Sequence, residues 1–193
     1  MPRSKAFDKN KVLKKAELLF WKKGYHATSM QDLVDHLGIN RASIYDTFGN
    51  KWGLFKMAFE LYIFEYTEKL NDSLDTELDP KDSLGRFFEN AIDESVKDKD
   101  KKGCFIVNTI AELIPGEKEL EQLLDDTRAL IQNHFQEFIK RGQEHGKISK
   151  EKDPKAIAFI LYSYYNGLKV LVKTNPGNAL LKKSLKEFLN ILD

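Results

Sequence analysis

Apolar residues recur every three to four positions along almost the whole chain, and no stretch alternates apolar and polar residues for long. That period predicts an all-α protein. A first helix is expected from about Asp8, its N-cap, to Lys23, with Val12, Ala16, Leu19 and Phe20 on one face and Gly24 ending it. Ser29 followed three residues later by Asp32 is an acidic form of the capping box, and it opens a short helix that Gly38 closes. Asn40 caps a third, from Arg41 to Thr47; Gly49 breaks the chain, and Asn50 caps a long fourth helix from Lys51 to about Leu74. Pro80 starts a fifth through about Lys97. A short apolar helix, Cys104 to Leu113, is stopped by Pro115 and Gly116, and a long one follows from Glu117 to His145. Two final helices, Asp153 to Lys173 and Asn178 to Leu192, flank the breaker sequence TNPGN.

About nine helices are therefore expected, short in the first fifty residues and long afterwards. This suggests a front module at 1–50 and a larger one at 51–193, with the boundary at the start of the fourth helix. The most apolar tract, Ile157 to Val172, is too short to span a bilayer and carries Asn166 and Lys169 inside it, so it reads as a buried helix and no membrane partner is expected. The N-terminal residues lack the apolar run of a secretory signal, which points to the cytoplasm.

Charge sharpens the division. The chain carries a net charge of only +1, but residues 1–56 hold eleven Lys or Arg against five Asp or Glu, leaving twenty against twenty-five in the remainder. The front end has the balance expected for a polyanion partner. One cysteine, Cys104, excludes an intrachain disulfide and a multi-cysteine zinc site. His134 and His145, the two histidines able to share a helix face, are eleven residues and so some 16 Å apart, and no metal site is indicated. No nucleophile, base and orienting group come together and no glycine-rich phosphate loop is present, so neither an enzyme nor a cofactor is expected.

Ser29 to Thr47 has the layout of a helix-turn-helix, two short helices with a glycine turn between them. In that motif the second helix enters the major groove with its first residues toward the base edges. Here those are Asn40, Arg41, Ala42 and Ser43. Arg41 can donate two hydrogen bonds to a guanine edge, and Ala42 can touch a thymine methyl. Thr28, Tyr45, Thr47 and Lys51 are positioned to hold phosphates, over a core of Leu33, Val34, Leu37, Ile39, Ile44 and Phe48. The pattern also fits a plain helical hairpin whose polar face meets only water, or a helical module that binds a protein partner.

The stretch GYHATSMQDLVDHLGINRASIYDTFGNKWGLF, Gly24 to Phe55, resembles the DNA-binding signature of the TetR/AcrR family of bacterial transcriptional regulators. Gly24, Tyr25, Thr28, Leu33, Leu37, Gly38, Ile39, Tyr45, Phe48, Lys51 and Leu54 fall in the family's order and spacing. The resemblance implies a recognition surface of Asn40 to Ser43 with Tyr45, Asp46 and Thr47, and backbone clamps at Thr28, Tyr45 and Lys51. This chain has Thr47 where the family often has His, and Trp52 where it often has an acidic residue. Asp46 repels phosphate, so it is expected to meet a cytosine amino group or to point away.

The back half resembles the family less closely. KGCFIVNTIAEL, Lys102 to Leu113, is similar to the start of the sixth helix in one subgroup, read Gly-Cys-aliphatic-x-x-Asn. The resemblance implies a ligand-responsive regulator, a repressor rather than an activator, that binds a palindromic operator as a homodimer and is released by a small molecule. Candidates to line the effector pocket are Phe87, Phe88, Ile92, Cys104, Phe105, Leu123, Phe135, Phe138, Phe159, Tyr162 and Tyr165, each of which also suits plain core packing. The last two helices match the family's dimerisation pair, with apolar stripes Leu161, Tyr164, Leu168, Leu171 and Leu181, Leu185, Phe188, Leu192; these stripes also suit packing within one chain. Cys104, at a helix start beside Lys101 and Lys102, reads either as a thiol that senses oxidants or electrophiles or as a small buried apolar residue.

Overall fold

The computed structural model describes residues 7–74 and 79–193. Among them are nine α-helices, two 3₁₀ turns and no strand. Helix α1 (Lys9–Lys23) starts where the Asp8 carboxylate accepts from the backbone N–H of Asn10 and Lys11, and ends at Gly24, whose φ of 86° suits glycine. Helix α2 (Met30–Leu37) has the full capping box: Ser29 accepts from the Asp32 backbone, and Asp32 accepts from the Ser29 backbone. Gly38, left-handed at φ 71°, turns the chain into α3 (Arg41–Phe48), capped by Asn40. Asn50 caps α4 (Lys51–Ser73).

The body holds α5 (Pro80–Lys97), α6 (Phe105–Leu113), α7 (Lys118–Glu144), α8 (Pro154–Leu171) and α9 (Asn178–Leu189). Two ends differ from the sequence expectation. Cys104 is the N-cap of α6 and its side chain makes no capping bond. The eighth helix tightens at Val172–Thr174 into a 3₁₀ turn before Asn175, which takes a left-handed φ of 58°. Shorter hydrogen-bonded loops at a helix end satisfy carbonyls that an abrupt stop would strand.

The front helices and the body share one core. Phe20 of α1 and Phe55 of α4 meet edge to face at 5.2 Å, Tyr25 lies 5.0 Å from Phe55, and Phe55 and Phe59 each contact Phe105 of α6 at 5.8 and 5.1 Å. Such aromatic pairs contribute about 0.5–1.5 kcal/mol each beyond the area they bury. The first turns of α4 thus pack with the front module. In the body α7 lies along α8 and α5 along α9. The Tyr164 and Phe188 rings stack there at 3.8 Å, with Phe88 edge-on to both.

Polar ties cross the same seam. The Glu112 carboxylate at the end of α6 accepts from the backbone N–H of Tyr25 and His26 at 3.0 and 2.7 Å, in the turn between α1 and α2. Lys14 pairs with Glu65, Lys22 with Asp100, and Lys56 with Glu119. These exposed pairs contribute little to stability, about 0.2–1 kcal/mol each.

Candidate nucleic-acid interface and an aromatic cavity

Helix α3 divides into two faces. Ile44 and Phe48, four residues apart, are buried, while Arg41, Ala42, Tyr45 and Asp46 are exposed and Ser43 and Thr47 are half-buried. Its start carries the unpaired N–H groups and positive dipole end that favour an anion. Arg41 and Tyr45 are one turn apart, with the guanidinium 5.8 Å from the ring centre. Asn40 lets its side-chain oxygen accept from the Ser43 backbone at 2.8 Å, so this candidate base-reader is a helix cap in the free chain. Lys51 sits 4.3 Å above the Tyr25 ring. Burial pushes its ammonium below the usual lysine range, opposed by the charges of Glu112 and Asp32.

Thr28 departs from its expected role. It is fully buried, and its hydroxyl donates to the Gly24 carbonyl at 2.6 Å. A side chain in that position shapes the α1–α2 turn. Its backbone N–H is also engaged, donating to Tyr25. Beside it, Lys23 and the Ser29 cap hold the Asp32 carboxyl well below the ordinary range. Of the front module's positive charge, Arg3 and Lys5 lie outside the described residues.

A cavity of about 400 Å³ opens where α1, α4, α5 and α8 meet, within the size range of small-molecule sites. Trp21, Tyr62, Tyr66, Phe87 and Tyr165 wall it. Among the expected pocket residues, Phe87 and Tyr165 lie there. Phe88, Ile92 and Phe138 are core residues outside the lining; Phe105, Phe135 and Cys104 are buried directly behind it, against Tyr62 and Phe87; Leu123 and Tyr162 are not in the lining, and Phe159 is 55% exposed on the outer face of α8. The reason is rotational: on α8 the Tyr165 side faces inward and the Phe159 side outward.

The cavity also holds charges that apolar periodicity does not reveal. Glu17, 1% exposed, receives two bonds from Lys14 at 2.9 and 3.0 Å, and burial pushes its carboxyl up against that lysine's pull. Lys169, 7% exposed, donates to the Ala91 carbonyl at 3.2 Å and to the Ser95 hydroxyl at 2.8 Å. Burial pushes its ammonium below the usual range. The available signal was a lysine inside the most apolar tract of the chain. Burial raises the hydroxyls of Tyr62, Tyr66 and Tyr165, which stay neutral donors.

The expected dimer stripes are mostly interior. Leu161, Leu168, Leu181, Leu185 and Leu192 are buried within one chain, and Tyr164 and Phe188 are half-buried against each other. Leu171 alone of that set is exposed. It belongs to a different stripe of α8 with Phe159, Ile160 and Val170, beside the exposed Leu180 of α9. Cys104 is 2% exposed, with its sulfur 3.7 Å from the Tyr62 hydroxyl, which agrees with the packing reading of that residue. No helix among the described residues is long and apolar enough to cross a membrane.

Comparison with known proteins bears on the whole chain. The family model described as bacterial regulatory proteins, tetR family, matches residues 12–58, and that of the tetracyclin repressor-like C-terminal domain matches 80–187. The HTH-type transcriptional regulator YezE of Bacillus subtilis (strain 168) is 29% identical over 194 residues, covering 100% of both chains. The HTH-type transcriptional repressor ComR of Escherichia coli (strain K12) is 31% identical over 169 residues, 87% of this chain and 80% of its own. A cysteine mutant of the TetR family transcriptional regulator CifR, complexed with 26bp double-strand operator DNA, superposes with a TM-score of 0.88 at 24% identity, covering 99% of this chain and 100% of that one. The reduced form of E. coli NemR does so at 0.85 and 18% identity, covering 95% and 96%. At these identities the solved structures speak for the fold.

Proposed function

We propose a function from one premise: the chain belongs to the TetR family of bacterial regulatory proteins. It is a DNA-binding transcriptional regulator, and in our reading a cytoplasmic repressor that binds a palindromic operator as a homodimer and lets go when a small molecule occupies the back half. The observation that carries this reading is the division of α3, whose Ile44 and Phe48 are turned inward while Arg41, Ala42, Tyr45 and Asp46 stand in solvent. Arg41 to Ser43 meet base edges, with Tyr45, Asp46 and Thr47 beside them. Lys51, braced on Tyr25, holds the backbone. The front module at 1–50 reads DNA with Lys51 beside it, and 51–193 binds the second copy and, together with α1, the effector.

The second copy docks on the last two helices, through the exposed apolar side chains Phe159, Ile160, Val170 and Leu171 of α8 and Leu180 of α9. Pairing matters because one short recognition helix holds DNA weakly, whereas two spaced about 34 Å apart read a palindrome. The effector enters the aromatic cavity. Trp21 and Glu17 belong to α1, so a ligand there touches a helix of the DNA-reading head directly, and Glu112 ties the end of α6 to the next turn. Coupling of about 1–3 kcal/mol through these contacts changes operator affinity roughly 5–150-fold.

Fluorescence anisotropy on labelled DNA tests the reading. Affinity is expected to fall steeply with salt and to show a stoichiometry of two chains per site. A chain that binds DNA as a monomer, or no better than a neutral helical protein does, contradicts it.

A further inference from the structure

The chemistry of the cavity narrows what the effector is, and this inference rests on the effector reading above. Four carboxylates line the cavity, and each has a lysine within ion-pair distance, with Lys14 serving two of them. Glu17 and Glu65 pair with Lys14, Glu94 with Lys69, and Asp93 with Lys182. Lys169 is different. It is buried, and among the described residues it has no carboxylate within ion-pair distance; its neighbours are a carbonyl, a hydroxyl and the Tyr165 ring at 5.4 Å. Two neutral acceptors and the longer-range charges of Glu94 and Asp98 offset only part of its desolvation cost.

A second observation has the same sign. The indole N–H of Trp21, another lining residue, is buried and has no hydrogen-bond acceptor among the described residues. Buried donors without acceptors are uncommon in folded proteins and cost free energy. The cavity wall therefore holds an ammonium with no ion-pair partner, and one of its five aromatic residues carries an indole N–H without an acceptor among the described residues.

We propose that the cavity binds a planar aromatic monoanion, with its anionic group taken by Lys169 and its ring held between Tyr62, Tyr66, Phe87 and Tyr165. Charge complementarity selects the anion, since a neutral or cationic ligand leaves Lys169 as it is in the empty chain. The rings select a flat aromatic body, because stacked and edge-to-face contacts need little side-chain rearrangement.

Isothermal titration calorimetry with 2-naphthoate and its neutral isostere 2-naphthamide tests the proposal on the full-length chain, with no variant required. Naphthoate is expected to bind at least tenfold tighter, a difference of about 1.4 kcal/mol. Lys169→Met, which keeps the side chain's length and apolar stem, removes that preference, whereas Lys97→Met on the exposed rim leaves it intact. Equal binding of the two probes, tighter binding of the amide, or no binding of either overturns the anion assignment. So does a preference that survives Lys169→Met or disappears with Lys97→Met. The effector reading is judged separately by adding naphthoate to the DNA complex. Naphthoate that binds with the expected preference yet leaves operator affinity unchanged upholds the anion site and contradicts its role as effector site.

Discussion

Arg41 stands in water on α3, and Lys169 stands in the wall of a cavity on α8, and one unit of positive charge does different work in the two places. Around Arg41 the dielectric is high and salt screens each charge within about 8–10 Å, so the DNA-reading face must act through many modest contacts. Around Lys169 water is largely excluded, so a single partner changes the local energy strongly. The first arrangement suits a partner that is a polyanion of great length. The second suits a small molecule with one charge. Between them run α1 and α4, whose aromatic side chains belong to both regions at once, which is how occupation of the second can be felt at the first.

The largest effect is expected where the two regions are joined. Phe55 contacts Phe20, Tyr25, Phe59 and Phe105, so Phe55→Ala should cost about 3–5 kcal/mol in denaturant unfolding. A cost below about 1 kcal/mol would mean that head and body are separate units and that the comparison breaks. On the DNA face, Arg41→Ala should lose about 1–3 kcal/mol at one base pair per half-site and leave other positions unchanged. Lys51→Ala should instead weaken all sequences alike and lower the salt slope by about one, read from binding at several salt concentrations.

Smaller effects sharpen the account of coupling. Glu112→Gln keeps the shape but removes the charge that holds the Tyr25 and His26 amides, and should lower stability by about 1 kcal/mol while reducing the response of DNA binding to a cavity ligand. Unchanged ligand response would remove Glu112 from the path. The smallest effect concerns pH. Burial raises the Glu17 carboxyl above its unfolded value, so the stability it contributes is present at low pH and is lost as pH climbs through the raised value. Melting temperature of the wild type should therefore fall relative to Glu17→Gln as pH rises above the ordinary carboxylate range. Parallel curves for the two proteins would place the Glu17 charge at no cost.

The same contrast explains what could be read from residues alone. The head is built from neighbours in sequence: Ser29 with Asp32, Asn40 with Ser43, and Gly38 at the turn, so its helices and outward face follow from spacing. The burial of Thr28 is not legible there, because it depends on Gly24 and on how α1 and α2 cross. The cavity joins residues from Lys14 to Lys169 across four helices, and periodicity shows that a helix has an apolar face without showing which neighbour covers it. Leu161 and Phe159 illustrate this, two residues apart on α8, one in the monomer core and the other facing out. Lys169 was visible as an anomaly in an apolar tract, but its partners were not.

The central claim is that two copies of α3 read a symmetric site through Arg41 and its neighbours. Selection of bound DNA from a random pool, run in parallel with the wild type and with Arg41→Ala, tests it most directly. The account predicts inverted repeats whose half-sites lie about one helical turn apart, with the variant losing preference at a single position in each half. Recovered sequences without twofold symmetry, or an unchanged preference in the variant, would contradict it.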